Sequence, residues 1–147
     1  MVGKTERGFV ADGLSHYMER VRHWTPVEEV VVAKSDRATA AEQQVEEERN
    51  LLKAIPLGVR VVVLDEVGKT IDSRTFAKKL GDWRDQGVRE TCFVIGGAYG
   101  LTDAVRSRAD LLLSLSPMTF PHQLVRVLFA EQLYRAYSIL NRTGYHH

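Results

Sequence analysis

Apolar residues recur at helical spacing in the first stretch of the chain. Phe9, Val10, Leu14, Tyr17, Met18, Val21 and Trp24 fall three or four apart, which predicts a helix over 9–24 with Pro26 as its stop. A β-branched run, 27–32, then reads as a strand. Residues 39–54 form a helical pattern with an acidic face of Glu42, Glu46, Glu47 and Glu48, ended by Pro56. The nearly continuous apolar run 59–64 suits a strand buried on both faces, as in a parallel sheet. Val67-Gly68-Lys69 reads as a turn, and Ser73 as the cap of a helix running to about Arg84. Strand 91–95 leads directly into Gly96-Gly97-Ala98-Tyr99-Gly100. A short helix near 102–108, a strand at 111–115 and a long helix over 122–140 complete the pattern.

Strands that alternate with helices predict an α/β fold with a mostly parallel sheet and helices on both faces. Ligands of such sheets sit beyond the carboxyl ends of the strands. Three strand ends are therefore singled out: Leu64-Asp65-Glu66, Ile95-Gly96-Gly97 and Leu115 to Phe120. If they converge, they form one pocket from three separate segments.

Length and composition narrow the class. The 147 residues amount to one domain, and 44% hydrophobic with 27% charged residues is globular composition. The single cysteine, Cys92, excludes an internal disulfide and any zinc site of several thiolates. No histidine–carboxylate spacing suggests a metal. No apolar stretch reaches the roughly 18 residues of a membrane span, and the first residues lack a signal-peptide core, so a cytoplasmic location is expected. Lys and Arg number 20 against 19 Asp and Glu, a net charge of +1. A nucleic-acid partner would thus have to be met by locally clustered basic groups.

The chemistry is less direct. The glycine run after strand 91–95 is neither G-x-G-x-x-G nor a P-loop, which disfavours a dinucleotide or triphosphate site. Taken alone it reads more readily as a tight turn than as a close ligand approach. Asp65 suits a ribose hydroxyl or a plain cap. The loop Leu115-Ser116-Pro117-Met118-Thr119-Phe120 suits either an adenine ring or a core-packing role. The last helix is apolar most of the way round, so it is either central to its own domain or covered by a second subunit. Tyr145 and His146 have the ring and imidazole to stack on a base and bond its edge, and Arg126 and Arg142 suit phosphate or carboxylate. The polar tail is expected to bury little.

Three blocks taken together carry a resemblance. They are Val94 to Leu101, Leu113-Ser114-Leu115-Ser116-Pro117-Met118-Thr119-Phe120-Pro121-His122-Gln123-Leu124, and Arg126 through Glu131-Gln132-Leu133-Tyr134-Arg135-Ala136 to Tyr145-His146. With Val2-Gly3-Lys4-Thr5, Leu64-Asp65 and Gly68-Lys69, the chain resembles the small SPOUT-class rRNA methyltransferases, the RlmH family, which methylate N3 of a pseudouridine in 23S ribosomal RNA. The resemblance implies S-adenosylmethionine contacts at Leu64, Gly96 and Leu115, Ser116, Pro117, Met118, Thr119 and Phe120. It implies a C-terminal deep trefoil knot, a homodimer through the last helix, and the 23S rRNA of the assembled ribosome as partner. Tyr145, His146 and Arg126 are then the expected catalytic residues, with His146 a plausible proton acceptor. Family members usually begin with a short apolar strand before Val-Gly-Lys, so most of that strand is expected to be missing from a chain that starts at Met1-Val2. An SPOUT enzyme acting on another RNA, such as tRNA, and a flavodoxin-like nucleotide-binding module without methyl transfer are the alternatives, and the second gives the 115–120 loop no role.

Overall fold

A computed structural model describes residues 1–145. Five helices and three strands follow in the order α1 (Phe9–Val21), α2 (Ala40–Ala54), β1 (Arg60–Thr70), α3 (Ser73–Asp85), β2 (Thr91–Ile95), α4 (Asp103–Ser107), β3 (Leu111–Ser114) and α5 (His122–Leu140). They group into two compact units, each assembled from three separate stretches of chain.

The first unit holds residues 1–4, 29–70 and 90–122. Its centre is a parallel sheet in the order β2-β1-β3, flanked by helices. The run Val61-Val62-Val63 is wholly buried, as its unbroken apolar character requires of a strand covered on both faces. Val61, Val63 and Val94 of the sheet pack with Leu51 and Ile55 at the end of α2 and with Leu101 and Val105 at α4. Each such side chain contributes roughly 1.5–3 kcal/mol on burial. The start of β1 is fixed by Asp110, whose carboxylate accepts from the Val61 N–H at 2.7 Å and from Arg60 at 3.2 Å.

Several elements differ from the sequence expectation. The run 27–32 is not a strand. Only Val32 pairs, in a parallel bridge with Val2, and Val30 and Val31 are exposed. A β-branched run becomes a strand only where a partner edge is available, and here that edge is Met1–Gly3. Val2 also donates its N–H to the Ile95 carbonyl, so it extends the sheet beyond β2. Val67-Gly68-Lys69 is not a turn. β1 runs through it to Thr70, leaving its first register with β3 after Leu64↔Leu113 and returning at Lys69↔Leu113 and Thr70↔Ser114. A Cβ on Gly68 would lie 2.6 Å from the Leu113 carbonyl carbon, so this glycine serves close backbone approach.

The second unit holds residues 5–28, 71–89 and 123–147. α1 stops at Val21, short of Trp24, which closes a turn back to the Val21 carbonyl. α3 is capped by Asp72 rather than Ser73, through a 2.7 Å bond from the Thr75 N–H. α1 and α5 approach closely where Gly13 faces Val127, and α3 meets α5 where Gly81 faces Leu140. No α5 residue is fully exposed, yet most of its apolar side chains are only half-buried within this chain. No helix among the described residues is long and apolar enough to cross a membrane.

Candidate functional site

The sheet brings the three segments side by side, although Leu64-Asp65-Glu66 is not a strand end as expected, because β1 pairs with β3 again and runs on to Thr70. β1 is central, and its Leu64 pairs with Ile95 of β2 on one side and Leu113 of β3 on the other. Because all three strands are parallel, Gly96 and Leu115 follow the carboxyl ends of β2 and β3 on the same side of the sheet, next to Leu64, which lies within β1 where its first register with β3 ends. Leu64 and Gly96 are buried, Leu115 and Ser116 are half-buried, and Pro117, Met118 and Thr119 are exposed, with Phe120 half-buried.

The 115–120 loop is not a core-packing connection. Met118 is 72% exposed. The loop keeps its shape by its own hydrogen bonds. Ser114 Oγ donates to the Ser116 carbonyl at 2.8 Å, Ser116 Oγ accepts from the Met118 N–H at 2.9 Å, and Thr119 Oγ1 donates to Glu66 at 3.0 Å. The hydroxyls of Ser114, Ser116 and Thr119 thus hold an apolar Pro-Met tip open to solvent beside the end of β1. Such a tip can cover the face of a flat apolar ring while the backbone beside it reads the ring's edge.

The glycine loop after β2 is moulded by its own chain. A Cβ at Gly96 would lie 2.9 Å from Leu101, and one at Gly97 would lie 2.5 Å from Oε2 of Glu47. Gln44, one turn before Glu47 on α2, donates its side-chain amide to the Tyr99 carbonyl. Glu47 is itself 3% exposed, and its other oxygen accepts from the Ser35 N–H at 3.2 Å. The sequence pattern places Glu47 on an acidic face with Glu42, Glu46 and Glu48. Three neighbouring acidic residues on α2 mask the one that points inward, and only the mixed helix periodicity hinted at it.

Asp65 is committed within the protein. Its side chain is 5% exposed, paired with Arg106 at 3.0 Å and bonded to the Val67 N–H at 3.1 Å. It anchors β1 where its register with β3 breaks, rather than standing as a free acceptor. Arg106, which sequence reading did not single out, is held in turn by Asp103 at 3.0 Å. These carboxylates raise its already high pKa against the opposing effect of burial. Among the described residues no group of three or more His, Cys, Asp or Glu side chains is placed to hold a metal ion. Cys92 is half-buried in β2, and desolvation raises its thiol pKa.

The expected catalytic residues lie in the helical unit. Arg126 is fully buried and donates to Thr5 Oγ1 at 2.9 Å. Burial lowers its pKa, with Glu6 opposing. Tyr145 is not a solvated end. Its ring meets Tyr134 edge-on at 4.6 Å, Arg135 lies over it at 4.8 Å, and its hydroxyl donates to Glu131 at 3.3 Å. Desolvation, a hydrogen bond with Tyr17 and the Glu131 charge push its phenol up to about 12. It is therefore a proton donor at neutral pH. Trp24 stacks on Tyr134 and Tyr137 at 5.4 and 6.2 Å, and Arg20 lies 5.4 Å over Tyr134. His146 and His147 lie outside the described residues.

Comparison with known proteins follows this geometry. A family model described as "Predicted SPOUT methyltransferase" matches residues 1–146. The protein named ribosomal RNA large subunit methyltransferase H from Geobacter metallireducens is 44% identical over 147 residues, covering 99% of this chain and 95% of the relative. Its namesakes from Pelobacter propionicus and Nitratidesulfovibrio vulgaris are 47% and 46% identical, each with the same coverage.

Proposed function

Because the chain belongs to the SPOUT methyltransferase family, we propose that it methylates N3 of a pseudouridine in 23S ribosomal RNA, with S-adenosylmethionine as donor. The observation that carries this reading is the convergence of Leu64, Gly96 and the self-supported loop 115–120 at one sheet edge, in a chain whose relatives bear the rRNA methyltransferase name over nearly their whole length. The proposal takes the whole chain, 1–147, as one catalytic domain acting in the cytoplasm on the assembled ribosome.

The residues present suit the cofactor. Gly96 and Gly97 bring backbone rather than side chains to the strand end, and the exposed Pro117-Met118 tip suits an adenine face. Glu47 Oε2, buried beside Gly97 with no hydrogen-bond partner among the described residues, offers negative charge to a cationic ligand. When bound, S-adenosylmethionine supplies a methyl group on a sulfonium, and no covalent enzyme intermediate is needed. Leu64, Gly96 and 115–120 hold and orient it, and alignment with the acceptor nitrogen supplies most of the acceleration. N3 lies on the Watson–Crick edge, so the base is taken from a loop or turned out of its stack. Tyr145, whose hydroxyl proton is directed to Glu131, is assigned to stack its ring on the base. The N3 proton is assigned to the His146 imidazole. Arg126 is too buried to be a base and remains charged, acting from within the helical unit.

The proposal includes the deep trefoil knot of the resembling family and a homodimer through α5. What supports the dimer is that Leu124, Val125, Leu128, Tyr134 and Tyr137 are left half-buried in the single chain. The test is calorimetry with S-adenosylmethionine, followed by mass-spectrometric mapping of N3-methylpseudouridine in 23S rRNA after incubation with purified ribosomes. Tight binding and one new methylated pseudouridine are expected. Binding without rRNA methylation, or methylation only of tRNA, overturns the substrate assignment.

A further inference from the structure

We infer that Glu47 sets the preference of the cofactor site for the cationic methyl donor over its neutral product, acting as a buried counter-charge beneath the glycine loop. The inference rests on the reading of S-adenosylmethionine as the cofactor. Glu47 projects from α2 and is only 3% exposed. One carboxylate oxygen accepts from the Ser35 N–H at 3.2 Å, and the other abuts Gly97 with no hydrogen-bond partner among the described residues. Glu47 forms no ion pair among the described residues.

The other acidic groups at this sheet edge are spoken for. Asp65 is neutralised by Arg106 at 3.0 Å, and Glu66 is exposed, with Thr119 bonded to it. Among the acidic side chains of the described residues, Glu47 alone keeps a buried carboxyl oxygen without a hydrogen-bond partner. Leaving a buried carboxylate without a partner is costly, and a positive ligand beside it offsets that cost. The glycine at 97 belongs to the same arrangement. Any side chain there would collide with Oε2 at 2.5 Å and push the carboxylate away. Gln44, one turn away on the same helix, holds the Tyr99 carbonyl and keeps the loop seated over Glu47.

The donor carries a sulfonium, and the product left after methyl transfer carries a neutral thioether. A fixed carboxylate nearby binds the first more tightly than the second, because its field is weakly screened by the surrounding apolar packing. Glu47 has no direct access to the ligand in this arrangement. It acts across the Gly97 backbone, as a specificity-determining rather than a catalytic residue. Its consequence is exchange of product for fresh donor after each turnover.

The experiment is calorimetric titration of the full-length protein with S-adenosylmethionine, with S-adenosylhomocysteine and with sinefungin, whose amine restores positive charge near the sulfonium position. In the wild type both charged ligands should bind more tightly than S-adenosylhomocysteine. Glu47→Gln keeps volume and the acceptor for Ser35, and should cut the donor-to-product affinity ratio about tenfold while product affinity stays within about twofold. Glu47→Asp keeps the charge and should keep the ratio. An equal loss for all three ligands in Glu47→Gln would assign Glu47 to loop shape alone and overturn the inference. So would a wild type that binds charged and neutral ligands equally, a result that stands even if Glu47→Gln does not fold. A wild type that binds none of the three overturns the cofactor reading itself, and the role of Glu47 falls with it.

Discussion

At Gly68 the absence of a side chain is imposed by a backbone, whereas at Gly97 it is imposed by a carboxylate. Gly68 faces main-chain atoms of Leu112 and Leu113 that cannot move without opening the sheet. Gly68→Ala should therefore destabilise the protein by about 2 kcal/mol, the cost of overpacking a rigid site, read as a lower urea midpoint with unchanged slope. Tyr145 offers a second residue-scale test. Its phenol, pushed up to about 12, keeps its proton in the folded state through pH values at which an ordinary tyrosine loses it. A folded-state pKa above the unfolded one contributes stability below the unfolded value and loses it as pH rises through the folded one. Ultraviolet titration should show one tyrosine ionising well after the rest, and that late phase should vanish in Tyr145→Phe. A late phase that survives the substitution would mean another tyrosine carries it.

Three helix starts in this chain are set by side-chain caps. Thr39 and Glu42 form a reciprocal capping box on α2, Thr102 caps α4, and Asp72 caps α3. The Thr75 N–H bound to Asp72 holds that carboxyl below its ordinary value. A lowered carboxylate pKa gives stability above the unfolded value that disappears as pH falls through the folded one. Asp72→Asn retains an acceptor but no titration. Urea midpoints measured from pH 6 down to 2 should therefore fall less steeply in this variant than in the wild type. Parallel curves for the two proteins would show that the cap carries no acid sensitivity. Thr39 and the Val27 to Val32 run show opposite sides of the same rule. A cap is local and works from a few residues, while a strand needs a partner edge that neighbouring sequence does not contain.

For the whole molecule, the half-buried aromatic cluster of Trp24, Tyr134 and Tyr137 bears on assembly. With Tyr134→Asp and Tyr137→Asp combined, the proposed dimer should give way to monomer or aggregate in analytical ultracentrifugation, with loss of cofactor binding. A fully active monomer, in the variant or the wild type, would sink the dimer. Deleting residues 145–147 tests the tail. Tyr145 packs on Tyr134 and bonds to Glu131, so the deletion should cost about 1 kcal/mol of stability rather than nothing. Cofactor affinity should change little, since Leu64, Gly96 and 115–120 are untouched. Single-turnover methylation on ribosomes should be lost, and near-normal turnover would free the tail of any catalytic role.

What the sequence determined alone is what depends on near neighbours along the chain. The succession of the five helices, the limits of β2 and α5 and the burial of Val61 to Leu64 on both faces follow from periodicity, apolar runs and chain stops. The blocks around Gly96, Ser116 and Arg126 also carried the family. What only the tertiary structure decided depends on atoms brought from far along the chain. Val32 finds its single partner in Val2, β1 runs on past Gly68 because β3 lies beneath it, and Asp65 is claimed by Arg106 from α4. Glu47 is the sharpest case. Among four glutamates on one helix, the inward one is chosen by where Ser35 and Gly97 come to rest, and no local pattern records that position.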